Sequence, residues 1–205
     1  ELDAFLQGWF TRHAFTSVTT PQFVGELQQH LMSKFPARVD DGFLARWIDG
    51  NGIPADAEFV PSDVLARVDA ARGSWEQGKT GTQELQTAGW TVQEWLHFLS
   101  RLTRPQPVAR LQELDQRFHL TTSPNAEIAH AWFRLGIQSH YPGLEPTLET
   151  YLTNIGRLKL IRPLYEDMLE TPERAEFARR VYAKARPGYH AIAQRALDKV
   201  MLESK

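Results

Sequence analysis

The chain has 205 residues, 42% of them hydrophobic and 23% charged, enough for one large domain or two small ones with a real core. A formal net charge of −2 gives no electrostatic reason to expect nucleic acid, and no run of about 18 apolar residues suits a membrane span. Cysteine is absent, which excludes disulfides, thiol catalysis and cysteine-held metal, and leaves the compartment, cytoplasmic or periplasmic, undetermined.

Apolar periodicity is helical nearly throughout. Leu2, Phe5, Leu6, Trp9 and Phe10 recur at i, i+3, i+4, i+7 and i+8, predicting a helix with one buried stripe. Thr20-Pro21 reads as an N-cap followed by proline at the first helical position, with Phe23, Val24, Leu27 and Leu31 on one face. A short helix is expected after Asp40, using Phe43, Leu44, Trp47 and Ile48. Asp49-Gly50-Asn51-Gly52-Ile53-Pro54 breaks the pattern, and Pro61 follows closely. The expected organisation is a helical piece over residues 1–50, a linker over 51–61 and a larger helical domain over 62–205.

That larger part reads as a string of amphipathic helices. Val64, Leu65, Val68 and Ala71 mark the first, while Gly73, Gly78, Gly81 and Gly89 obscure the region from 73 to 90. Thr91-Val92-Gln93-Glu94 is a capping-box pattern, opening a helix that buries Trp95, Leu96, Phe98, Leu99 and Leu102. Pro105 and Pro107 end it and start another with Val108, Leu111, Leu114 and Phe118. Ser123-Pro124 and Thr171-Pro172 repeat the cap-then-proline device. Between them lie helices carrying Ile128, Trp132 and Leu135, then Leu148, Tyr151, Leu152 and Ile155, then Leu160, Ile161, Leu164, Tyr165 and Met168. Phe177, Val181 and Tyr182 mark the next, and Ile192, Ala193, Ala196, Leu197 and Val200 the last. No stretch alternates with period two over strand length between turn signals. The predicted fold is all-α, with antiparallel helix pairs stacked as an irregular armadillo- or HEAT-like superhelix.

Chemistry-bearing motifs are scarce. The seven histidines (His13, His30, His97, His119, His130, His140 and His190) show no pair at ligand spacing, and His-Glu-x-x-His is missing. They are expected at the surface or packed, with no metal held by this chain. Ser17, Ser33, Ser62, Ser74, Ser100, Ser123, Ser139 and Ser204 have no nucleophile-elbow context. Gly73 to Gly81 lacks the phosphate-loop ending and reads as a flexible connection. Glu145, Glu149, Glu166, Asp167, Glu170, Glu173 and Glu176 are plentiful, and spacing such as Glu145/Glu149 is expected to form a solvated helix face. The six tryptophans sit at or near helical core positions.

What stands apart is Gly156-Arg157-Leu158-Lys159-Leu160-Ile161-Arg162-Pro163-Leu164-Tyr165. The glycine looks like a helix stop, and three cations follow at a helix junction. Two readings remain open. Arg157, Lys159 and Arg162 can cap the preceding helix, where cations favour the exposed carbonyls. Alternatively they can form an anion pocket, a guanidinium clasping a carboxylate through two hydrogen bonds while lysine adds a point charge.

The stretches Ala126-Glu127-Ile128, Trp132 to Ser139, Gly156 to Lys159 and Arg162-Pro163-Leu164-Tyr165 resemble the C-terminal domain of the leukotriene A4 hydrolase and aminopeptidase B family. Phe5-Leu6 with Ser17-Val18-Thr19-Thr20 is similar to the end of that family's thermolysin-like domain, and Trp47-Ile48 with Gly52-Ile53-Pro54 to the domain junction. The resemblance implies a zinc aminopeptidase whose zinc ligands lie upstream of Glu1. Residues 1–50 would be the tail of the catalytic domain and 62–205 the helical domain that caps the cleft. This chain would then hydrolyse nothing alone, and its partners would be a short peptide and the missing catalytic domain. Absence of an initiator methionine at Glu1-Leu2-Asp3 fits a piece of a longer protein. The resemblance also assigns Arg157 and Lys159 to the substrate's carboxylate, with no comparable role for Arg162. The alternative is a stand-alone helical-repeat module that binds a protein or acidic peptide without catalysis.

Overall fold

The structure, a computed structural model, describes residues 1–36, 42–58 and 62–203. Asp40, Pro61 and Ser204, which carry three of the sequence expectations, lie outside the described residues. The described residues contain helices and turns and no strand, and none of their helices is long and apolar enough to cross a membrane. The chain divides into two compact units, Glu1–Pro61 and Ser62–Lys205.

In the first unit, α1 spans Leu2–Arg12 and α2 spans Thr20–His30. Phe5 and Trp9 are the buried part of the α1 stripe, and Phe23 of α2 meets both rings at 5.9 and 5.1 Å. Leu2 and Phe10 of the same stripe are exposed. The cap of α2 is Thr19 rather than Thr20. Thr19 has extended backbone, and Gln22 reaches back to accept its amide at 2.8 Å, so the Thr-x-x-Gln pattern outweighs Thr20-Pro21. Phe43 and Leu44 enter a single π-helical turn over Ala45–Asp49, in which Trp47 and Ile48 are exposed.

The second unit holds α3 (Val64–Glu76), α4 (Val92–Ser100), α5 (Val108–Phe118), α6 (Ala126–Gln138), α7 (Glu145–Asn154), α8 (Leu158–Leu169), α9 (Pro172–Ala185) and α10 (Ala191–Glu203). Helices two apart pack together: α4 on α6, α6 on α8, α8 on α10, and α7 on α9. Two layers therefore grow side by side, the arrangement of stacked helix pairs in a superhelical repeat. Trp132, Leu135, Leu148, Leu152, Ile161, Leu164 and Tyr165 fill the core between the layers.

Local signals explain several helix starts. Thr91 and Glu94 form the expected capping box, with the Thr91 amide donating to Glu94 Oε2 at 2.8 Å and the Glu94 amide to Thr91 Oγ1 at 3.3 Å. Thr171 precedes α9 with Pro172 as its first residue. At α6 the cap is Asn125, not Ser123: Asn125 Oδ1 accepts the amides of Glu127 and Ile128 at 3.0 and 3.2 Å. Ile192, placed on the buried face of α10 by its spacing, is 60% exposed, whereas Ala193 and Leu197 are buried.

The glycine-rich stretch after α3 conceals a core anchor. Trp75 is fully buried one turn beyond the last predicted apolar residue of α3. Its indole donates to Thr82 Oγ1 at 2.9 Å, and the Arg110 guanidinium lies 4.2 Å from its ring centroid. Behind α6, Trp132 donates to Thr121 Oγ1 at 2.8 Å, and Asp115 gathers donors from the Thr121 amide, the Thr121 hydroxyl and Tyr141. Gly136 lets the chain after α6 fold back closely, since a Cβ there would stand 2.5 Å from Leu144 Cδ1.

Beyond its apolar packing on α8, the last helix is tied to the end of α9 by one carboxylate. Asp198 accepts from Tyr182 Oη at 2.7 Å and from Arg186 Nε and Nη2 at 2.8 and 2.7 Å. The Arg186 and Tyr182 hydrogen bonds lower its pKa from 3.8 to about 2. A carboxyl lowered on folding stabilises the fold above its unfolded pKa and loses that stabilisation as pH falls toward its folded one. Thermal melts between pH 5 and 2 should therefore show the Tm falling mainly between about pH 4 and 2, with a shallower fall in Asp198→Asn.

Candidate functional site

The basic corner is built by two helix starts that meet. Helix α7 ends at Asn154, Ile155 turns extended, and Gly156 leads to Arg157, the N-cap of α8. Arg157 and Lys159 thus sit at the beginning of α8 and do not cap α7. Orphan carbonyls of α7 are satisfied otherwise: Leu152 O accepts the Tyr189 hydroxyl at 2.6 Å, and Tyr151 O accepts the Ile155 amide at 2.8 Å. Gly156 is not in the left-handed region, so it is not the expected glycine stop.

Cations in the first turn of a helix face the positive end of its dipole, a placement that costs about 0.3–1 kcal/mol where a carboxylate would gain it. Their partner is Glu127, in the first turn of α6, where a negative side chain is favoured. Arg157 Nη1 donates to Glu127 Oε1 at 2.9 Å, and Lys159 Nζ to Glu127 Oε2 at 3.3 Å. The two cations remain 64% and 67% exposed, and Glu127 28%. Arg162, one turn on, pairs with Glu166 at 2.7 Å and takes no part in the convergence.

Below this corner the same two helices are joined twice more. His130 Nδ1 lies 2.7 Å from Leu160 O, and since a carbonyl only accepts, the ring proton sits on Nδ1. Burial holds the pKa of His130 below its ordinary value. Deeper still, Arg134 Nε and Nη2 clasp Asp167 Oδ2 and Oδ1 at 2.7 and 3.1 Å, and Gln138 donates to Oδ1 at 2.8 Å. The Asp167 hydrogen bonds raise the pKa of Arg134. Glu127, His130 and Arg134 are spaced i, i+3 and i+7, one face of α6, and their partners ascend α8 in the same order. The two helices therefore run parallel.

Sequence reasoning located Arg157 and Lys159 but missed Glu127, His130 and Arg134, whose i, i+3, i+7 polar stripe was the available signal. Asp167, expected on a solvated face, is instead buried at 6% exposure. Glu149 does face solvent, bonded to Lys184 at 2.6 Å, and Glu145 is exposed. Among the described residues no three His, Asp or Glu side chains converge as metal ligands. Chemically, the corner is a place where two cations share one carboxylate.

The family model described as leukotriene A4 hydrolase, C-terminal, matches residues 90–201, over half the chain. The chain belongs to this family. It is 28% identical to leucine aminopeptidase 2 of Candida albicans over 97% of its own length and 34% of that protein. It is also 28% identical to the leukotriene A-4 hydrolase of Xenopus laevis, over 95% of its length and 33% of that protein. Native yeast LTA4 hydrolase superposes with a TM-score of 0.69 at 19% identity, covering 98% of this chain and 35% of that one, a likeness of fold. The chain spans about a third of the length of the relatives it matches. Its residues Glu127, Arg157 and Lys159 all fall inside the family match.

Removing one partner of a buried ion pair costs about 3–5 kcal/mol, and the 34% exposure of Arg134 places this pair at the low end. Urea unfolding should find Asp167→Ala less stable by about 3 kcal/mol, and Arg134→Met combined with Asp167→Leu closer to the wild type than that single variant.

Proposed function

We propose that this chain is the C-terminal part of a zinc aminopeptidase acting on short peptides, with Arg157 and Lys159 holding the substrate's carboxylate. Residues 1–50 form the tail of the catalytic domain, 51–61 the linker, and 62–205 the helical domain that caps the cleft and limits access to short peptides. The observation that carries this reading is that the two cations already hold one carboxylate, that of Glu127, between them. Membership of the family supports the aminopeptidase assignment at a coarser level.

The clamp has donors to spare. A guanidinium has five N–H groups and an ammonium three, while Glu127 engages one nitrogen of each side chain. A peptide carboxylate can join Glu127 or take its place, gaining a bidentate bond from Arg157 and a point charge from Lys159. Anchoring the C-terminus at a fixed point sets the distance to the scissile bond, and so favours peptides of one length over longer ones. In this reading a zinc ion held outside this chain supplies the hydrolytic chemistry.

A charge-assisted hydrogen bond is worth about 1.5–3 kcal/mol, and exposure places these at the low end, near tenfold in binding. In the full-length enzyme, Arg157→Ala should lower kcat/KM on free tripeptides by about tenfold or more. Aminoacyl anilides, which lack a free carboxylate, should change by no more than about twofold. Equal losses on both substrate types would remove the carboxylate role.

A further inference from the structure

A groove of about 470 Å³ lies between α3, α4 and α6, with Leu65, Leu96, His97, Arg104, His130 and Ala131 in its lining. That volume lies within the range of small-molecule sites. Most of its polar groups are already engaged by the protein. Arg134 is bound to Asp167, and Glu127, at the rim, to Arg157 and Lys159. His130 gives its proton to Leu160 O. His97 Nε2 is 3.1 Å from Asp69 Oδ2, though off the line of a hydrogen bond.

Arg104 is different. Its Nε is buried without a hydrogen-bond partner, and Nη2 makes only a long 3.5 Å contact with Leu99 O. Burial lowers its pKa, the nearby charge of Arg134 adds to that effect, and the charge of Asp167 partly offsets it. A half-buried cation with no carboxylate of its own destabilises the fold that holds it, and it supplies donors to whatever anion enters. Beside it stand the apolar side chains of Leu65, Leu96 and Ala131. A guanidinium at one end and hydrocarbon along the walls match an anion with an apolar tail.

We propose that this groove is a second anion subsite, in which Arg104 holds the carboxylate of a small monocarboxylate and Leu65, Leu96 and Ala131 receive its apolar tail. The subsite shares Glu127 with the Arg157–Lys159 pair but is centred on Arg104, and it does not depend on the function proposed for that pair.

Calorimetric titration of the 205-residue chain with hexanoate, hexanamide and inorganic phosphate tests this. Hexanoate should saturate, and hexanamide should bind about tenfold more weakly or not at all, as loss of a charge-assisted hydrogen bond requires. Arg104→Gln should weaken hexanoate by about tenfold or more, while Arg162→Gln, whose side chain pairs with Glu166 away from the groove lining, should change it by less than about twofold. Leu65→Glu, at an exposed wall position, should weaken it as well without loss of the fold. Without ligand, Arg104→Gln should melt at or above the wild-type temperature, because it removes a half-buried charge that no carboxylate hydrogen-bonds. The proposal fails if hexanoate does not saturate, if its binding survives Arg104→Gln, or if the loss follows Arg162→Gln instead. It also fails if phosphate binds as tightly as hexanoate with the same Arg104 dependence, or if Arg104→Gln lowers the melting temperature.

Discussion

The seam between α6 and α8 is the constraint on which the rest of this structure depends. Three polar links cross it in register: Glu127 with Arg157 and Lys159, His130 with Leu160, and Arg134 with Asp167. From Glu127 to Arg134 is seven residues, about 10 Å of helix, and from Lys159 to Asp167 eight, about 12 Å. The near match holds the helices parallel and level. Parallel neighbours two apart in the chain are what a repeating helix-pair architecture requires, because the intervening helix must run back. Apolar burial brings α6 and α8 together, but a greasy interface tolerates sliding and rotation. Polar links with fixed partners remove that freedom, since a slip would leave Arg134 or Asp167 buried without its counter-charge.

This rigidity bears on the basic corner. Two cations at a helix start oppose the dipole of their own helix, so local energetics alone would disfavour the arrangement. Glu127 reverses the sign, sitting at the start of the parallel neighbour, where its charge is welcome, and facing both cations. The cluster retains a net positive charge and unused donors at an exposed edge, while in the pair below Asp167 is buried and Arg134 only a third exposed. The seam thus grades from a buried structural ion pair to an accessible basic one along a single helix face. A site whose residues are placed by packed helices has less freedom to lose when a ligand arrives than a site placed by loops.

Much of this was legible in the sequence, and the reasons for the exceptions are physical. Helical periodicity located the helices of the second unit, since Leu111, Leu114, Leu148, Leu152, Leu160 and Leu164 repeat as an amphipathic face must. Caps were displaced where two adjacent residues could serve, as at Thr19 and Thr20, because the choice depends on which side chain the third helical residue can reach. Trp75 was hidden by the glycines around it, although a helix tolerates Gly73 for about 1 kcal/mol and the indole's burial exceeds that. Asp167 looked like its exposed neighbours because no spacing rule reveals a counter-charge 33 residues away. Arg157 and Lys159 stood out by composition, yet their setting at a helix start, and so their freedom from capping, needed coordinates.

Helix α6 carries three tasks on two faces, the core on one and the seam and groove together on the other, and this explains why its polar residues fall where they do. Trp132 and Leu135 enter the core, and Trp132 is fastened from behind through Thr121 to Asp115. Glu127, His130 and Arg134 form the seam with α8, and the same three, with Ala131, line the groove toward α4. A shift of α6 would therefore alter core, basic corner and groove at once. Coupling of that kind disfavours any intermediate position, because packed interfaces settle into one fit or another and do not deform smoothly. The basic corner is consequently as fixed as the core behind it, and its exposed cations move only within the reach of their own side chains.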